Sequence, residues 1–160
     1  MKETSYRTLQ AACVIALICI ILWVAFYAIQ SYYVLTTGSG NGVINWGSSQ
    51  MGLKLTMFTV NRITILTLAG LMAAFVINIL KYLKGGTIFN HANVVLLWIM
   101  AIVLPIHSFI SDNMGFVVSA SDHYEWGLTD TPFVYTLVAV IVAMLYKLAY
   151  DAAEEQKLTI

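Results

Sequence analysis

From Thr8 to Leu53 the chain carries no formal charge, and within that stretch Ala11 to Leu35 is almost continuously apolar and aromatic. A bilayer core about 30 Å thick is crossed by about 20 apolar residues in a helix, so this run is long enough to span it once. A cleaved signal peptide would carry an apolar region of only about 7–15 residues before an A-x-A-like site. This run is longer and continues into Tyr32-Tyr33-Val34-Leu35-Thr36-Thr37, so a retained membrane helix is expected.

Three more runs of the same kind follow. One extends from Phe58 to about Leu80, interrupted by Arg62 near its start and Asn78 near its end. Another extends from Asn90 to about Ile110 with Pro105 and His107 in its last part, and the fourth from Pro132 to about Tyr150, where Lys147 can snorkel into the headgroups. The short stretch Lys81 to Phe89 makes the second and third runs an antiparallel hairpin. The expected fold is a single all-α transmembrane domain over residues 1–160, an integral membrane four-helix bundle with spans of about 11–35, 58–80, 90–110 and 132–150. Composition agrees: 10% of residues are charged, against about 25% in soluble domains. With Lys+Arg and Asp+Glu balanced at 8 each and no basic arm, direct binding to nucleic acid lacks its electrostatic footprint. Cys13 and Cys19 form no CxxC or metal pattern and read as small buried hydrophobes.

Orientation follows from where Lys and Arg fall near the helix ends. With a cytoplasmic N-terminus, Lys2, Arg7, Lys81, Lys84, Lys147 and Lys157 lie inside, and only Lys54 and Arg62 outside. Both termini are therefore expected in the cytoplasm. Tyr6, Tyr82, Tyr146 and Tyr150 then form an inner aromatic belt, and Tyr27, Tyr32, Tyr33 and Tyr135 an outer one.

The outer loops offer little chemistry. The run Thr37-Gly38-Ser39-Gly40-Asn41-Gly42 follows a membrane helix, not a strand, and reads as a flexible turn instead of a phosphate cradle. In the second outer loop, His123 with Asp112, Asp122, Glu125 and Asp130 has the donor types for a divalent metal but no repeated ligand spacing, so a solvated acidic loop is favoured. Arg62 is a functional candidate because a charge within a membrane helix is costly. The antiparallel hairpin brings it level with Asp112, which predicts a structural Arg62–Asp112 pair, with ligand recognition the alternative. His107, one turn away after the helix-perturbing Pro105, is expected to bond a freed carbonyl or a neighbouring helix, with proton sensing the sharper alternative. Asn78 is read as interhelical glue. No catalytic constellation, metal motif or cofactor motif is apparent, so a nonenzymatic protein is expected.

The inner stretch Lys84-Gly85-Gly86-Thr87-Ile88-Phe89-Asn90-His91-Ala92-Asn93-Val94 reads as a sharp reversal. Gly85 and Gly86 can take the left-handed conformation that ends a helix. Asn90 is a good N-cap, which sets Phe89 and Val94 at the two positions of a hydrophobic staple.

The core Gly86-Thr87-Ile88-Phe89-Asn90-His91-Ala92-Asn93 between the second and third of four spans, with the closing Asp151-Ala152-Ala153-Glu154-Glu155-Gln156-Lys157-Leu158-Thr159-Ile160, resembles the uncharacterised bacterial four-span membrane proteins typified by YoaS. Ile88 stands where that family usually has Pro, and Val94 and Val95 replace the basic residues that commonly follow its loop Asn. The resemblance implies a protein of the bacterial cytoplasmic (inner) membrane with no established activity or cofactor. It also implies a possible partner, because members are often encoded beside a small helix-turn-helix regulator. A membrane interaction protein that holds such a transcription regulator through its inner loop (Gly86, Phe89, Asn90, Asn93) and C-terminal tail is the leading expectation. A small transporter, channel subunit or ligand sensor using an outer polar pocket of Arg62, His107 and Asp112 is the alternative. A homo-oligomer is left open, and the tail reads equally as a solvated helix extension.

Overall fold

In a computed structural model, described for residues 3–36, 44, 46–83, 85, 88–125, 127 and 129–158 with the side chains of 3, 157 and 158 excepted, the chain forms helices wherever its apolar runs lie. These are α1 (Glu3–Thr36), α2 (Met51–Leu83), α3 (His91–Asp112), the short turn α4 (Met114–Val117) and α5 (Thr131–Leu158). All but α4 are long and apolar enough to cross a membrane. Polar side chains within them turn back on their own backbone: the hydroxyls of Ser31 and Thr36 donate to the carbonyls of Tyr27 and Tyr32 four residues earlier. That arrangement satisfies hydroxyls where no water is at hand.

Backbones approach closely between α1 and α2, α2 and α3, and α3 and α5, while α1 makes no such approach to α3 or α5. The four long helices are thus an open row with α1 on its flank, and α1 does not close a ring with α5. Cross-helix contacts set the directions. Gln30 meets Arg62, His107 meets Thr64, and Tyr146 meets Asn93, so each neighbour is antiparallel to the last. One end of the row holds the start of α2, α4 and residues 118–125, 127, 129 and 130, and is called the cap end. The other holds residues 85 and 88–90, the start of α1 and the end of α5, and is called the reversal end.

The helices outrun the apolar spans read from the sequence. At 1.5 Å per residue α3 is about 33 Å long and α1 about 50 Å, and α2 begins at Met51, well before Phe58. Local caps explain that early start. The Ser48 hydroxyl accepts from the backbone N–H of Gln50 at 3.1 Å, and the Met51 N–H donates to the Ser48 carbonyl. Tertiary packing then holds the extra turns: Val34, Ile44, Met57, Phe58 and Val117 form a buried cluster at the cap end, with Phe116 and Tyr124 against it. Pro105 lies within α3 without ending it. Large apolar side chains remain exposed around α1 and α5, among them Ile21, Phe26, Leu137 and Leu145. Exposed apolar area on this scale fits lipid and is foreign to a water-soluble monomer.

Candidate functional site

Arg62, His107 and Asp112 do not form one pocket. Successive helical residues are turned by about 100°, so Arg62 and Thr64 leave α2 on opposite sides. Arg62 faces α1, where its Nη2 donates to Gln30 Oε1 at 3.2 Å and its guanidinium lies 4.7 Å from the Phe58 ring centre and 5.2 Å from that of Tyr27. Its Nε and Nη1 are buried and have no acceptor. Thr64 faces α3, where its hydroxyl oxygen is 3.0 Å from His107 Nδ1. That hydroxyl also lies 2.9 Å from the Asn61 carbonyl one turn earlier on α2, to which it can donate. Asp112 accepts from the Thr129 hydroxyl at the entry to α5. Among the described residues no ion pair joins Arg62 to Asp112. The expected pair fails because matching depth along two helices leaves azimuth unspecified.

The cap end is held by a residue that the sequence reading left as a mere outer charge. Lys54, in the first turn of α2, is completely buried. Its Nζ donates to the carbonyls of Ser119 at 2.8 Å and Ser121 at 3.0 Å, and lies 4.9 Å from the Phe116 ring centre. Beside it, the Asp122 carboxylate accepts from the Ser48 hydroxyl at 2.5 Å, the Ser49 hydroxyl at 2.9 Å and the Ser49 N–H at 3.2 Å. Those bonds, led by Ser48, hold the Asp122 carboxyl below the usual carboxylate range. Asp122 therefore works as a tether for the turn that opens α2. His123 and Glu125 stand 3.7 Å apart and almost fully exposed, and among the described residues no group of His, Cys, Asp and Glu is placed to hold a metal ion. Asn113 completes the cap, since its side-chain amide both donates to and accepts from the backbone of Gly127, at 3.0 and 2.9 Å.

At the reversal end Asn90 caps α3 from an extended backbone, its Oδ1 accepting the Asn93 N–H at 2.9 Å. Its Nδ2 is buried without an acceptor. Asn93 is wholly buried and joins three helices: Nδ2 donates to the Phe75 carbonyl and to the Tyr146 hydroxyl, both at 3.3 Å, and Oδ1 accepts from Asn78 at 3.0 Å. Tyr146 in turn donates to the Ile88 carbonyl at 3.0 Å. Phe89 lies half in this cluster, edge-on to Tyr146 at 5.2 Å. Gly85 donates its N–H to the Tyr82 carbonyl at 3.0 Å and does not take the left-handed conformation expected of it. Gly86 lies outside the described residues, as do the Gly38–Gly42 run and the last two residues.

Two hollows accompany these contacts. Between α2 and α5 the row splays open toward the cap end into an apolar groove of about 550 Å³ over Pro105, walled by Met57, Val60, Phe109 and Phe133. Between α1 and α2 a cavity of about 120 Å³ lies against Arg62. No family model, curated protein or solved structure matches the chain.

Proposed function

We propose that the protein is a nonenzymatic multi-pass protein of the bacterial cytoplasmic membrane, with both termini in the cytoplasm, that offers its reversal end to a small cytoplasmic helix-turn-helix regulator. The supporting observation is the continuity of α5. It runs as one helix from Thr131 to Leu158, and Tyr146 binds the 88–90 segment to it through the Ile88 carbonyl and the Phe89 ring. The 88–90 segment and α5 around Tyr146 are thereby held together as one surface, with Tyr82 and Phe89 partly exposed and the Lys147–Asp151 ion pair, 2.6 Å long, on the adjoining helix. A rigid patch loses little conformational entropy on binding, which favours recognition. Lys81 and Lys147 lie toward this end, in keeping with a cytoplasmic face, and the likeness to the YoaS-type proteins suggests the kind of partner.

The test is capture of the detergent-solubilised protein from its native host. Wild-type protein is expected to bring down a small DNA-binding regulator, and Phe89→Ala to lose it while keeping its melting temperature. Capture without any regulator, or equal capture by a variant truncated after Tyr150 and carrying Phe89→Ala, contradicts the reading.

A further inference from the structure

Among the described residues the guanidinium of Arg62 has no counter-ion, and its one hydrogen-bond acceptor is the neutral amide of Gln30. The carboxylates nearest in the chain's layout are engaged elsewhere, Asp112 by Thr129 and Asp122 by Ser48 and Ser49. Arginine stays charged under all ordinary conditions, so neutralising itself is not open to it. Two aromatic faces, Phe58 and Tyr27, offset part of the cost, yet Nε and Nη1 are buried without an acceptor. A buried, charged donor left unsatisfied is expensive.

The adjoining cavity says what would complete it. Its lining runs from Arg62, Tyr27 and Ser31 at the level nearer the cap end to Val24, Ile65 and Leu66 about one turn deeper. The hollow is lined almost entirely by apolar atoms and has the Arg62 cation at its cap-end side, a setting that suits an acyl chain lying beneath a phosphate. At about 120 Å³ it is well short of the roughly 300–1,000 Å³ of a metabolite pocket, which excludes a small molecule enclosed whole. Arg62 also stands about one turn in from Asp112, at the end of α3, since it lies two residues nearer the cap end than Thr64, the partner of His107. That is the depth at which a long cation meets headgroups.

We infer that the α1–α2 seam at Arg62 binds the phosphate of one anionic phospholipid, whose acyl chain lies along Val24 and Leu66. The site stands apart from the regulator reading, because it lies toward the opposite end of the helices and needs no protein partner. Arg62 supplies bidentate-capable donors to the phosphate oxygens, and Ser31 lines its approach. Binding clamps α1, an end helix of the row that packs on α2 alone, to the rest of the row.

The experiment uses the full chain in nanodiscs of neutral phosphatidylcholine, titrated with phosphatidylglycerol and read by native mass spectrometry for lipid retained per chain. One tightly held phosphatidylglycerol is expected on the wild type. Its affinity should fall about tenfold in Arg62→Gln, the loss of a charge-assisted contact, with Arg62→Lys in between. Lys147→Gln, at the other end, should leave that lipid in place. Inorganic phosphate added to neutral nanodiscs should neither occupy the site nor displace the lipid. Retention unchanged in a monodisperse Arg62→Gln protein overturns the inference, and saturation by inorganic phosphate overturns its assignment to a lipid.

Discussion

At the cap end a buried ammonium, Lys54, grips the 119–121 segment by its carbonyls, whereas at the reversal end a buried neutral amide, Asn93, ties α2, α3 and α5 together. Each residue is fully enclosed and each joins segments far apart in the chain. The difference is one of surroundings. Lys54 has the exposed Asp122 and its serines close by, so its charge sits near polar, water-accessible groups. Asn93 lies between helices with apolar outer faces, where an ion would be far more costly and a neutral amide can have each of its atoms satisfied. The same task of closing a helix end is met with charge where water is near and with amide hydrogen bonds where it is not.

That contrast predicts unequal sensitivities. Lys54→Met removes two charge-assisted bonds to the carbonyls of Ser119 and Ser121, and should cost about 2–4 kcal/mol, read as a lower melting temperature of the detergent-solubilised protein. Asn93→Ala removes three hydrogen bonds but in an environment where interhelical hydrogen bonds average only about 0.6 kcal/mol. Its cost should be about 1–2 kcal/mol, and a loss exceeding that of Lys54→Met would reverse the comparison. Asn90→Ala deletes a single cap bond and should cost about 1 kcal/mol. Arg62→Leu and Asp112→Leu should be additive when combined, since the two residues share no contact.

The smallest effect is on pH dependence. Asp122 has its folded pKa depressed, so the stability it contributes is present above the unfolded carboxylate pKa and is lost as pH falls through the lower folded value. Acid should therefore loosen the cap end before the reversal end, detected as earlier hydrogen exchange in residues 46–54 than in 88–94. Asp122→Asn should abolish that difference. Earlier exchange at the reversal end would contradict it.

What could be read from the residues alone follows the same division. Asn90 is a cap over a span of three residues, with Asn-x-x-Asn visible in the chain, and the Asn90–Asn93 bond is where that pattern puts it. The long apolar runs likewise mark the four long helices. Lys54 was opaque because its acceptors are backbone carbonyls 65 and 67 residues away, and a carbonyl carries no residue signature. Asp122 was visible as a charge but not as a tether, because Ser48 and Ser49 are ordinary loop residues until the fold brings them to it. The open row was hidden for a related reason: α1 is apolar all round, so nothing in its pattern marks which face meets α2 or that α5 is absent from its other side.

The proposed topology puts the two ends on opposite sides of a membrane, with the reversal end in the cytoplasm. Single cysteines introduced as Glu125→Cys at the cap end and Gln156→Cys on the last turns of α5, both exposed positions, in a background with Cys13 and Cys19 replaced by Ala, would be probed with a membrane-impermeant maleimide on spheroplasts. The cysteine at 125 should label in intact spheroplasts and the one at 156 only after permeabilisation. Labelling of both positions in intact spheroplasts, or of 156 alone, would contradict the account.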